Sequence, residues 1–176
     1  MTPMTPMTPR QRSRPDRTGP TAAAADELHS GLSNVLFDVW LVSRAATALI
    51  DEAIHESGLD ADEFAIYSIL ASTRGMTPSE LARWMAAPPT TVSSYIKRFE
   101  RRGHVRKAAH PEDRRSYHVL LTADGEAAHL AAGARFLPLL GDVESRLGRV
   151  GADTHRRLRS LHECLATLEG ERHQGR

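Results

Sequence analysis

Cysteine is almost missing from this chain: Cys164 is the single one among 176 residues. That excludes an internal disulfide, and a cysteine-built metal cage within one chain is not expected. A reducing cytoplasm suits such a composition, so a cytoplasmic protein is expected. Aromatic residues are scarce too, at 5%. Leu, Ala, Val and Ile must then supply most of the packing, which favours helices. No apolar run approaches the roughly 20 residues that a membrane-spanning helix needs. The N-terminus repeats Met1-Thr2-Pro3 three times and continues through Arg10, Arg12, Arg14 and Arg17. It lacks the apolar stretch of a secretory signal. Residues 1–27 read as a disordered, basic, proline-rich tail, because they cannot bury enough surface to offset the entropy of ordering. Nucleophile elbows, phosphate loops and metal-binding motifs are missing as well, so neither enzymatic activity nor a cofactor is expected.

What the chain does have is positive charge in one place. Hydrophobic and charged contents of 40% and 26% are ordinary for a globular protein, and the formal net charge is only +1. Between Pro88 and His118, however, eight Lys/Arg (Lys97, Arg98, Arg101, Arg102, Arg106, Lys107, Arg114, Arg115) face three acids (Glu100, Glu112, Asp113). Such concentration in a near-neutral chain is the local footprint of a polyanion partner.

Hydrophobic spacing predicts a helix over about 30–57, stopped at Gly58. Asp60 with Glu63 forms a capping-box-like start for a second helix, in which Phe64, Tyr67, Ile69 and Leu70 pack. Thr77-Pro78-Ser79-Glu80 is the strongest helix start: Thr at the N-cap, Pro at the first helical position, Glu three residues after the cap. That helix stops at Ala86-Ala87-Pro88. Pro89 opens the next one, which reaches Arg102 and ends at Gly103. Val105–Ala108 reads as a strand, His110-Pro111-Glu112-Asp113 as a turn and Tyr117–Leu121 as the return strand. Thr122 caps a long helix, with Pro138 expected to bend it. Asp153 starts a last helix with Leu158, Leu161, Leu165 and Leu168 at near-heptad spacing.

The fold class expected is therefore mainly α with a small β-hairpin. A winged helix-turn-helix lobe at about 60–122 is flanked by dimerisation helices at about 30–57 and 122–170. The ordered domain spans 28–170, and 171–176 form a disordered C-terminus. The long outer helices carry more leucine than a small winged helix can cover, and a two-fold homodimer is the economical partner surface.

Thr77 to Gly103 has helix-turn-helix spacing. On its second helix Val92, Tyr95, Ile96 and Phe99 should pack inward, leaving Thr90, Thr91, Ser93, Ser94, Lys97, Arg98 and Arg101 on the opposite side. Short hydroxyls near a helix start suit base edges and thymine methyls, while Lys and Arg further along suit phosphates or guanine. On the hairpin tip Arg114 and Arg115 are placed to meet phosphates or a minor groove, and Asp113 to orient a neighbouring guanidinium. The expected partner is double-stranded DNA, with no membrane.

These landmarks resemble the MarR family of bacterial transcription regulators. Glu80-Leu81-Ala82, Thr91-Val92-Ser93, Glu100-Arg101-Arg102-Gly103 and Asp113 through Thr122 stand in that family's usual order, with Gly58-Leu59 and Gly125 also in place. The similarity covers roughly Leu32 to Leu168, and its most specific part is the Asp113/Arg115/Leu121/Thr122 spacing. It implies a helical homodimer with two winged-helix lobes on a pseudo-palindromic operator, usually a repressor, with a small-molecule pocket between the dimer helices and each lobe. The family's base-reading positions fall on Thr90, Thr91, Ser93, Ser94 and Lys97, and its wing arginine on Arg115. Two departures stand out. Ala86 replaces a frequent turn glycine, so a different backbone is expected there. His104 occupies a position usually apolar, and partial exposure is expected.

A small aromatic or phenolic effector would find aromatic surface and one cation in Phe37, Trp40, Arg44, Phe64 and Tyr67; the same aromatics at helical spacing also read as core. The nine histidines do not assemble a zinc site: His155 and His162 lie about 10 Å apart along a helix, and Asp51/His55 and Glu126/His129 are half-sites of a common surface kind. No metal is expected, and Cys164, between Leu161 and Leu165, reads as a buried or interfacial thiol. The alternatives are a regulator without a small-molecule ligand, and a winged-helix dimerisation module of a larger assembly.

Overall fold

A computed structural model describes residues 34–109 and 116–174. In chain order these form α1 (Val35–Ile54), a 3₁₀ turn (His55–Ser57), α2 (Ala61–Thr73), α3 (Pro78–Trp84), α4 (Pro89–Arg101), β1 (Val105–Ala109), β2 (Tyr117–Leu121), α5 (Ala123–Leu147), a second 3₁₀ turn (Gly148–Val150) and α6 (Gly151–Gln174). Two compact units divide the chain, Met1–Val42 and Ser43–Arg176. In the first, Phe37 stacks on Trp40 with ring centroids 5.8 Å apart. The second holds the helix-turn-helix. The tail at 1–27 and the hairpin tip lie outside the described residues.

Local chemistry sets most boundaries. Gly58 ends the first 3₁₀ turn at φ 76°, a left-handed conformation that glycine adopts without a Cβ penalty. Asp60 caps α2 and Thr77 caps α3, each in a reciprocal capping box with the Glu three residues on. Pro89 stands at the first position of α4, where its missing N–H is no loss. At the other end of α4 the Gly103 N–H donates to the Glu100 carbonyl and the His104 N–H to the Phe99 carbonyl, the paired bonds of a Schellman stop.

Three expectations are adjusted. Ala86 sits at φ 46°: the turn keeps the left-handed conformation a glycine would take, in a residue for which that region costs about 1–2 kcal/mol. The last helix runs on to Gln174, past Gly170, so 171–174 are helical rather than a disordered end. Cys164 is exposed, not buried within the chain.

The core gathers Ile66, Tyr67 and Leu70 of α2, Leu81 of α3, Val92, Ile96 and Phe99 of α4, and Val105 and Val119 of the hairpin. Strands β1 and β2 pair antiparallel with Lys107 opposite Val119, and a further bridge joins Met76 to Val119. The hairpin is thus stitched to the segment entering α3. Where β2 hands over to α5, Thr122 acts in two directions. Its hydroxyl donates to the Gly103 carbonyl (2.6 Å) and accepts the Gly125 N–H (3.2 Å). Its own N–H donates to the His104 carbonyl (3.0 Å). This closure brings the first turn of α5 against the end of α4, and a Cβ on Gly125 would stand 2.0 Å from the His104 carbonyl oxygen.

That contact yields a paired prediction from thermal or urea unfolding. Gly125→Ala should destabilise by at least the ~1–3 kcal/mol of overpacking. Gly133→Ala, in the same helix with nothing within 4 Å of its added Cβ, should stabilise by about 0.5–1 kcal/mol. Equal effects at the two positions would contradict the close approach.

Candidate nucleic-acid interface

Helix α4 presents three sides. Val92, Ile96 and Phe99 are buried and fix the inward stripe. Thr90, Thr91, Ser93, Ser94, Lys97 and Arg101 are exposed, and Ser94, Lys97, Glu100 and Arg101 line a shallow open groove. Lys97 and Arg101 have no carboxylate partner among the described residues. The Ser94 hydroxyl donates to the Thr90 carbonyl at 3.0 Å, so its proton is used within the helix and its lone pairs face outward. An outward face of hydroxyls ending in two unpaired cations is chemically suited to a nucleic-acid groove flanked by phosphates.

The third side changes one assignment. Arg98 does not share the open face. Its Nε lies 2.8 Å from Glu63 Oε1 and one terminal nitrogen 3.8 Å from Asp60 Oδ2, while its guanidinium carbon sits 4.8 Å from the centre of the Tyr95 ring. Arg102 Nη1 donates to Glu63 Oε2 at 2.9 Å, and Tyr95 donates its hydroxyl to Asp62 at 3.0 Å. The acidic first turn of α2 therefore holds one edge of α4. Glu63 is only 1% exposed. Its Oε1 and Arg98 Nε, both buried, have no hydrogen-bond partner, so their close approach is ionic, without hydrogen-bond alignment. Removing an arginine leaves the buried Glu63 carboxylate less compensated, at a cost that solvent reduces because Arg98 and Arg102 stay about a third exposed. Sequence spacing identified Glu63 as a capping residue, and it is one, accepting the Asp60 N–H at 3.3 Å; nothing in the spacing revealed that the same carboxylate also faces α4.

The hairpin base is held in the same way. Lys107 on β1 donates to Glu100 at 3.0 Å and lies 5.0 Å from the centre of the Tyr117 ring. Its ammonium is held charged to higher pH than usual, chiefly by the Glu100 hydrogen bond. Arg106 stays exposed. Asp113, Arg114 and Arg115 lie outside the described residues.

The five effector-lining candidates are spread over different surroundings. Phe37 and Trp40 form the stack in the first unit, and Arg44 is exposed. Phe64 is half-buried, with His129 and Phe136 each 5.5 Å from its ring centre. Tyr67 is fully buried, edge-on to Phe99, with its hydroxyl 2.9 Å from His104 Nδ1; burial pushes its phenol up to about 12. Tyr67 is a core residue, and its contact explains why a half-buried polar His104 is tolerated after Gly103.

The family model described as "MarR family" matches residues 59–117, a span that holds the α2 clamp, both helices of the helix-turn-helix and β1. Over that span, about a third of its length, the chain is similar to the MarR family. It is 29% identical to the HTH-type transcriptional repressor Rv2887 of Mycobacterium tuberculosis over 134 residues, 69% of this chain and 94% of that one. Among solved structures, the transcriptional regulator MosR of M. tuberculosis in complex with DNA aligns with a TM-score of 0.60 at 25% identity, covering 74% of this chain and 98% of that one. NadR in complex with 4-hydroxyphenylacetate aligns with a TM-score of 0.66 at 20% identity, covering 76% and 92%. No described helix is long and apolar enough to cross a membrane.

The α2–α5 contact generates a pH prediction. Ser68 donates its hydroxyl to the Phe64 carbonyl (2.8 Å), so the 3.0 Å contact with His129 Nε2 requires a proton on that nitrogen. A second proton on Nδ1 would charge a ring packed against Phe64, and burial holds the His129 pKa below its ordinary value. The unfolded chain then binds more protons just below about pH 6.5. Stability is present in full above that pH and is lost as pH falls toward the depressed folded-state value. Thermal midpoints between pH 7.5 and 5.5 should fall more steeply for the unaltered protein than for His129→Gln; identical slopes would show that His129 does not titrate in this contact.

Proposed function

We propose that this regulator is a homodimeric repressor that reads a pseudo-palindromic operator and releases it on binding a small aromatic or phenolic effector. The observation that carries the reading is the open face of α4, with its hydroxyl-rich start and with Lys97 and Arg101 unpaired among the described residues, standing beside an antiparallel hairpin. Thr90, Thr91, Ser93 and Ser94 are the base-reading candidates. Lys97, Arg101 and Arg106, with Arg114 and Arg115 at the hairpin tip, are the phosphate or minor-groove candidates, and Asp113 is the orienting partner at that tip. Arg98 is left out because its charge is engaged by Glu63. The DNA held by MosR and the repressor Rv2887 support this reading. For the effector, the half-buried Phe64 cluster and the exposed Arg44 offer aromatic surface and one cation, and the 4-hydroxyphenylacetate held by NadR is a ligand of that chemistry.

Dimerisation is supported by apolar side chains left exposed along the outer helices: Leu130 at 70% and Leu137 at 62% on α5, Leu158 at 49% and Leu168 at 48% on α6. Exposed leucines in such number are the mark of a covered surface, and a two-fold pair is its commonest form. Light scattering at micromolar concentration should give twice the chain mass, and truncation before Asp153 should abolish both the dimer and specific DNA binding. A monomeric full-length protein would sink this part of the account.

Selection of bound fragments from a genomic library by the purified protein tests the reading as a whole, and should return a two-fold-related consensus. Two lobes neutralising about six to ten phosphates should lose roughly 10³ to 10⁵ in affinity between 50 and 200 mM salt. Thr91→Ala and Ser94→Ala should leave non-specific binding intact and relax preference at particular half-site bases, by about 1–3 kcal/mol each. Arg115→Ala should weaken binding to all sequences, with altered preference only where a narrow A·T minor groove is sensed. If Arg115→Ala rewrites the major-groove consensus while the helix variants lower affinity uniformly, the roles of α4 and the hairpin are reversed.

A further inference from the structure

We propose that Glu63 is a specificity-determining positioning residue: its buried carboxylate holds Arg98 and Arg102 away from DNA and sets which side of α4 faces the groove. The inference rests on the DNA-reading role proposed for α4 and assigns a function to a residue that touches no DNA.

Two properties of the geometry lead there. The first is rotational. A helix whose inward stripe is Val92, Ile96 and Phe99 is located by apolar packing, which has no direction and tolerates small rotations about the helix axis. The contacts to α2 all lie on one edge: Tyr95 to Asp62 at 3.0 Å, Arg98 to Glu63 at 2.8 Å, and Arg102 to Glu63 at 2.9 Å. They span two turns of α4 and end on carboxylates of a single turn of α2. The Tyr95–Asp62 and Arg102–Glu63 contacts are hydrogen bonds, which are short and directional, so they fix the rotation that the apolar stripe leaves loose, and the Arg98–Glu63 ion pair adds attraction on the same edge. Thr91 and Ser94, which must meet base edges within a few tenths of an ångström, share that helix.

The second property is electrostatic. Guanidinium groups free on a groove-facing helix would bind any phosphate. Phosphate contacts raise affinity for every sequence alike, and each such cation lowers the ratio of specific to non-specific binding. Arg98 and Arg102 keep roughly a third of their side-chain surface exposed, at 37% and 35%, whereas the Glu63 side chain keeps 2%. The carboxylate is locked in and is the buried negative charge that holds the two cations at the rim; Arg102 also meets the buried Tyr67 hydroxyl. Freed from Glu63, their long stems allow them to swing toward the backbone.

The test uses the full-length protein, a duplex recovered by the genomic selection and a random-sequence duplex, measured over a salt series well below each variant's unfolding temperature. Glu63→Gln keeps the volume and the capping oxygen but removes the charge. It should bind random DNA more tightly, steepen the slope of log affinity against log salt by about one or two phosphates per lobe, and reduce the specific-to-random ratio about tenfold or more. Loss of folding stability alone predicts none of these, since it weakens all binding together. Arg98→Met keeps an apolar stem over Tyr95 and removes the withheld cation. It should leave the salt slope unchanged, and added to Glu63→Gln it should bring the steepened slope back toward that of the unaltered protein. If Glu63→Gln does not fold, the Arg98→Met slope decides alone. A slope shallower by about one phosphate contact would make Arg98 a direct DNA contact and overturn the proposal, as would an unmoved ratio and slope in a folded Glu63→Gln protein. Unaltered protein that binds both duplexes alike and without salt dependence would overturn the DNA-reading role as well, which separates the two failures.

Discussion

The carboxylate of Glu63 meets Arg98 of α4 and Arg102 at its C-cap, and the arrangement of the helix-turn-helix lobe follows from that contact. A helix exposed on most of its circumference, with a narrow apolar stripe inward, has little to hold its azimuth. Here the stripe sets depth, and the ionic edge sets rotation. Because Glu63 also completes the capping box of α2, the same side chain ends one helix properly and orients another. The C-terminal stop of α4 extends the chain of dependence. Its Schellman bonds aim His104 at Tyr67, and the Thr122 hydroxyl and N–H tie Gly103 and His104 to the start of α5. One continuous set of polar contacts thus runs from α2 through the end of α4 to the longest helix of the lobe.

The positive charge of residues 88–118 divides along the same lines. Arg98 and Arg102 are neutralised by Glu63 and Asp60, and Lys107 by Glu100. What remains outward among the described residues is Lys97, Arg101 and Arg106. A count of basic residues therefore overstates the charge offered to a phosphate backbone. The remaining cations flank the hydroxyl face of α4 rather than covering it; in the DNA-reading role proposed for α4, charge would bring the helix to the duplex and hydroxyls would choose where it stays.

Features that depend on the chain's local chemistry were legible in the sequence. The Asp60/Glu63 and Thr77/Glu80 boxes, the Thr122 cap, the left-handed Gly103 and the two strands are each fixed by residues within a few positions of one another. Features set by partners far along the chain were not. Arg98 stands three residues after Tyr95 and four before Arg102, on the flank between the buried stripe and the open face, and only the position of α2 decides that it turns inward. Tyr67 reads equally well as pocket wall or core until Phe99 and His104 close over it. The disordered end expected at 171–176 is helical to Gln174: Glu169, Glu171 and Arg172 are good helix formers, and their summed preference outweighs about 1 kcal/mol for Gly170. At Ala86 the left-handed turn forms without the glycine that usually supplies it, closed by local backbone bonds from the Ala86 N–H to the Arg83 carbonyl and from the Ala87 N–H to the Ala82 carbonyl.

Nitrogen-15 spectra of the arginine side chains, recorded on the full-length protein with and without a selected tight-binding duplex, test the central claim most directly. If the acidic turn of α2 owns one edge of α4, the Nε–H signals of Arg98 and Arg102 stay where they are when DNA is added, while that of Arg101 moves. An Arg98 signal that shifts as far as that of Arg101 would show the guanidinium leaving Glu63 for the duplex, and the account of a withheld, helix-orienting arginine would fail.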